Sequence, residues 1–202
     1  MLRICGPAMT DLYNAIYEDL TLRQAGVILG IVLVVVHAIA YVQKPQVMKF
    51  LVDLPRNRKA GITLLIFATA WAFLMISEMD LGEFYTIRHI VKFVLPIGCF
   101  LVIQYVDEFL SVRALGAIMM LAAAPLLNAA FLEPPVTRLL LPTIAYIWII
   151  VGMFWVGMPF LMRDWIKWLG AKDTNRYRIG CISGAVYGLL TLICAISFWG
   201  GY

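Results

Sequence analysis

The chain has 202 residues, of which 63% are apolar and 14% charged, with a mean hydropathy of +0.90. Soluble domains run at about 45–50% apolar and about 25% charged, so these figures exclude a soluble enzyme, a secreted module and a disordered chain. The chain reads as an integral membrane protein. Its net charge of +4 is a matter of where cations sit relative to the bilayer, and nucleic acid is not an expected partner.

Residues 1–23 contain Asp11, Glu18 and Asp19 and no long apolar core, so they do not read as a cleavable signal peptide. Leu12, Ile16 and Leu20 recur at i, i+4 and i+8 beside Tyr13 and Tyr17, the pattern of an amphipathic surface helix. Its acidic residues favour packing on the bundle or on a partner subunit over docking on anionic lipid. Residues 24–202 then form a single transmembrane domain.

Six segments there lack Asp, Glu, Lys and Arg: 24–42, 60–77, 93–106, 114–132, 139–162 and 179–199. A helix of roughly 20 residues crosses about 30 Å of hydrocarbon. The runs are continuous rather than alternating, and backbone groups in lipid must pair internally, so helices are expected. The third segment has 14 residues and reaches full length only by adding Lys92 and its neighbours, or Asp107 and Glu108. Pro96, Pro125 and Pro159 predict kinks in the third, fourth and fifth helices. The expected fold is an all-α bundle of six transmembrane helices with an N-terminal amphipathic helix.

Orientation follows from the Lys and Arg distribution. The 43–59 and 163–178 connections, with Arg113, carry eleven of the sixteen basic residues; the other side has Arg3, Arg23, Arg88, Lys92 and Arg138. The richer side is expected to be cytoplasmic, which leaves both termini outside. Val47–Val52, flanked by Pro45 and Pro55, and Trp165–Leu169 read as short helices lying in the inner interface. Tyr41, Tyr105, Trp165, Trp168 and Tyr177 would form an inner aromatic belt, and Tyr85, Trp199 and Tyr202 an outer one.

Two polar groupings are candidate sites. His37, Gln104, Asp107, Glu108 and Arg113 share one inner level, where they could relay protons or hold an ion; the structural alternative is a wet turn with a snorkelling or paired Arg113. Glu78, Asp80, Arg88, His89 and Asn128 share the outer level as an entrance, a docking surface or a solvated loop of weak ion pairs. No cofactor is called for. A haem held by two histidines needs both at one depth, and His37 and His89 fall at opposite ends. No metal-binding spacing is present. Cys181 and Cys194, thirteen residues apart on one helix, lie about 20 Å apart, too far for a disulfide.

Gly180-Cys181-Ile182-Ser183-Gly184 through Gly188 resembles the serine-bearing helix of rhomboid intramembrane proteases, which carry Gly-x-Ser-Gly. The resemblance would imply a serine nucleophile at Ser183. It departs where Cys181 replaces the first glycine, and no histidine follows His89 to serve as the base. Gly180, Gly184 and Gly188 read instead as a small-residue ridge for helix packing. No catalytic constellation emerges. The leading expectation is a non-catalytic subunit or scaffold of a larger membrane complex, with membrane lipids and partner proteins or further copies around it. A small transporter or channel using the inner cluster is the alternative, and a lipid-modifying membrane enzyme the third.

Overall fold

The computed structural model describes residues 7–79, 82–106, 108–170 and 174–200. Among them the secondary structure is helical throughout, and six helices are long and apolar enough to cross a membrane. The protein is an all-α, multi-pass membrane protein.

Helix α1 (Pro7–Tyr13) continues into a π-helical turn, Asn14–Glu18, closed by a bond from the Asp19 amide to the Asn14 carbonyl. A π turn takes more residues per revolution than an α turn, so the face presented inward rotates. Tyr17 is therefore buried at 6% exposure while Leu12 is 51% exposed, although Leu12 belongs to the apolar stripe expected to face inward.

The spans are α2 (Leu22–Val42), α4 (Arg58–Glu78), α5 (Arg88–Tyr105), α6 (Leu110–Ala129), α7 (Leu140–Gly157) and α9 (Thr174–Ser197). Two shorter helices, α3 (Lys44–Asp53) and α8 (Phe160–Gly170), lie between them in sequence. Thr21 caps α2 through a reciprocal pair with Gln24, and the Asn57 side chain caps α4 on the Ala60 amide at 3.1 Å. The short third segment lengthens at its N-terminal end, taking in Arg88–Lys92, and stops at Tyr105. Phe109, with φ of 57°, turns the chain into α6.

The fifth segment, expected to run to residue 162, is two helices. Proline lacks the N–H that would continue the ladder and restricts the residue before it. Met158 is accordingly non-helical (φ −128°, ψ 70°), and Pro159 lies between α7 and α8 instead of kinking one helix. Pro96 and Pro125 stay inside α5 and α6.

Helix α2 runs along α9, α6 along α7, and α4 packs on both α6 and α5. Glycines make the close approaches possible. A methyl on Gly30 would lie 2.9 Å from the Gly188 carbonyl oxygen, and one on Gly61 would lie 2.8 Å from the Ser111 amide. Without a hydrophobic drive between helices in lipid, such contacts and interhelical hydrogen bonds hold the bundle. One apolar core joins Leu22, Leu29, Ala123, Leu126, Leu141 and Trp199; a second joins Leu54, Val112, Met162 and Ile166 at the end that carries α3 and α8.

Candidate functional site

The polar residues expected to share the inner level are distributed over separate seams. The His37 Nδ1–H donates to the Leu33 carbonyl at 2.7 Å, and the ring lies against Gly184 of α9. Beside it, a shallow groove of about 320 Å³ is bordered by Tyr41, Ala185 and Cys181. Tyr177 donates to the Ala40 carbonyl at 2.7 Å, with the Lys44 ammonium 5.3 Å from its ring centre. Arg113 reaches across to α7, donating to the Val156 carbonyl at 2.8 Å, where the break before Pro159 leaves helix-end carbonyls without amide partners. Gln104 is exposed on α5, and Glu108 faces a basic cavity near α8. Asp107 lies outside the described residues. Among the described residues no hydrogen bond or ion pair joins His37, Gln104, Glu108 and Arg113. What they share is nearness in sequence to the same end of the bundle: His37 and Gln104 lie near the C-terminal ends of α2 and α5, Glu108 in the turn that follows, and Arg113 in the first turn of α6.

At the other end, Arg88 donates to the Ser77 carbonyl at 3.4 Å and to that of Met79, tying the start of α5 to the end of α4. Glu78 accepts from the Thr10 hydroxyl at 3.2 Å. Asn128, expected beside Glu78 and Arg88, instead donates to the Tyr17 carbonyl. His89 is exposed, and Asp80 lies outside the described residues. The organising residue is Tyr17. Its phenolic oxygen accepts from the Trp71 indole N–H at 2.7 Å, and its ring stacks on Tyr13 with centroids 5.0 Å apart. Burial pushes the phenols of Tyr13 and Tyr17 above the ordinary value of 10.0; Glu18 and Glu78 add to the rise at Tyr13, and the Trp71 bond opposes it at Tyr17. The sequence placed Tyr17 next to the apolar stripe, and only the π turn brings it inward.

Gly184 and Gly188 sit in the α2–α9 seam, but nothing stands within 4 Å of the Cβ position of Gly180. Gly184 meets the His37 ring and Gly188 meets Gly30 and Leu33 of α2, while Gly26 of α2 meets Ala195 of α9 and Trp199 just after it; neither Gly26 nor Gly30 was marked by the sequence pattern. A methyl on Gly26 would strike the Trp199 ring at 2.2 Å, and Trp199 is wholly buried with its indole N–H on the Thr137 hydroxyl at 2.8 Å. That burial takes it out of the expected outer aromatic belt. Ser183 is exposed, and its hydroxyl donates to the Gly180 carbonyl at 3.0 Å. It has the local backbone partner usual for a helical serine. Among the described residues no three His, Cys, Asp or Glu side chains are grouped to hold a metal ion. Comparison with known protein families, curated proteins and solved structures finds no match.

Proposed function

We propose that the protein is a non-catalytic integral membrane subunit that docks on its partner through α5. The observation that carries this reading is the packing of that helix. It leans on α4 and on the turn before it, and none of its residues is buried. Its uncharged helical run, 93–105, is 13 residues, about 20 Å long against roughly 30 Å of hydrocarbon. Short spans are accommodated by bilayer thinning, by snorkelling flanks or by oligomerising. A well-packed neighbour over α5 would remove the mismatch and cover Gln104. The dispersal of His37, Gln104, Glu108 and Arg113 weighs against the transport alternative, because a relay needs its groups within hydrogen-bond reach of one another.

The test is site-specific photocrosslinking in native membranes. A photoreactive residue at Ile97 or Phe100, 57% and 65% exposed on α5, is expected to give one discrete protein adduct. The same probe at Ile193 on α9 is expected to label lipid. Lipid labelling of equal strength from both helices would overturn the proposal.

A further inference from the structure

Three elements meet around a cavity of about 670 Å³ at the end of the bundle that carries α3 and α8. Arg56 comes from the turn after α3, Glu108 and Phe109 from the α5–α6 turn, and Arg163, Ile166 and Lys167 from α8. Arg163 and Lys167 are four residues apart and so share one face of α8. Ile166, buried, forms the floor with the inner core beneath it. Three cations therefore face one carboxylate over an apolar base. Arg163 also meets Asp164 at 3.5 Å, but both side chains are half exposed, 50% and 52%, and such a screened pair holds the guanidinium weakly.

The geometry points to a binding site for the phosphate of an anionic membrane-lipid headgroup. Two guanidinium groups match phosphate oxygens in a planar fork, and the ammonium adds a movable point charge. The volume falls within the roughly 300–1,000 Å³ of small-molecule pockets, more than a bare anion fills. The position favours a lipid over a soluble phosphate. The site lies between two short helices that the sequence pattern assigns to the interface and that expose Phe50, Trp165 and Trp168, the kind of residues that anchor where acyl chains meet headgroups. Glu108 sets a limit on the charge the site accepts.

The test uses the full chain, delipidated in neutral detergent and offered phosphatidylglycerol or phosphatidylcholine, with retained lipid read by native mass spectrometry. Phosphatidylglycerol is expected to be held about tenfold more tightly, and Arg56→Gln with Lys167→Gln to lower its retention by at least about tenfold, since each removes a charge-assisted hydrogen bond. Lys49→Gln, on α3 but outside the cavity, is expected to change nothing. Glu108→Gln is expected to raise retention severalfold, a gain that misfolding does not produce. Equal retention of the two lipids would overturn the proposal, as would a Lys49→Gln effect as large as that of the cavity pair. Inorganic phosphate that displaces phosphatidylglycerol and stabilises the lipid-free chain by itself would overturn the lipid assignment in favour of a soluble phosphate.

Discussion

A methyl group on Gly116 would stand 2.7 Å from the carbonyl oxygen of Gly152, and a methyl on Gly152 would stand 2.7 Å from that of Gly116. The relationship is reciprocal, so α6 and α7 touch backbone to backbone at this crossing. Neither neighbour is the flexible end of a side chain, and a Cβ must push the helices apart.

Gly116→Ala is therefore expected to destabilise the protein by about 1–3 kcal/mol, the usual cost of overpacking a tight contact. Gly98→Ala on α5, where nothing stands within 4 Å, is expected to be neutral or to stabilise by up to about 1 kcal/mol. Unfolding midpoints in mixed micelles compare the two directly. Equal midpoints would show that the crossing is looser than described.

The His37 ring and Gly184 are coupled in the same way, since a methyl on Gly184 would lie 2.1 Å from His37 Nε2. Gly184→Ala alone is expected to lower stability. Combined with His37→Ala, which vacates the space, it is expected to recover part of the loss. A double-mutant cycle should give a coupling of about 0.5–3 kcal/mol. Additive losses would mean that the ring does not occupy the seam.

Docking of the N-terminal segment rests on Tyr17. Tyr17→Phe removes the acceptor of the Trp71 indole N–H, and Asn128→Ala removes the donor to the Tyr17 carbonyl. Each bond contributes about 1 kcal/mol, so each change is expected to raise the undocked fraction about fivefold. The initial rate of proteolysis within residues 7–20 measures that fraction. Unchanged rates in both variants would place the holding contacts elsewhere.

The same segment has an alkaline limit. The phenols of Tyr13 and Tyr17 are raised above 10.0 when docked, by burial first. A raised acid favours the protonated form, so this contribution is fully present below pH 10 and is lost as pH rises through the raised values. Protease access should increase in step with phenolate absorbance, and in Tyr17→Phe, where only Tyr13 is left to ionise, the alkaline rise should be smaller and start from a higher baseline. Resistance that persists after both tyrosines ionise would separate docking from the phenols.

Much of the fold is legible in the chain because membrane helices obey a one-dimensional rule. Charge-free stretches of helical length mark the spans, and Pro45, Pro55 and the Trp165–Leu169 run mark the short helices α3 and α8 between them. The errors have local causes. Pro159 ends α7 because the residue before proline leaves the helical region, and Leu12 faces out because the π turn rotates the face. The inner cluster was grouped by depth, a coordinate along each helix. Neighbourhood depends also on rotation and on which helix lies alongside, and neither is encoded in residue spacing.

The amino acids by themselves determine that this protein lives in a bilayer, that it crosses by helices, and where each crossing starts and stops within a few residues. Hydrocarbon forbids unpaired backbone and unpaired charge, and that constraint acts on every residue separately. Only the tertiary structure decided that α2 pairs with α9 through Gly30 and Gly188, that Asn128 serves the N-terminal segment, and that Arg56, Arg163 and Lys167 converge from two distant stretches. These are choices among partners of nearly equal apolarity. In lipid they are made by shape and by a few hydrogen bonds, which exist only once the helices are side by side.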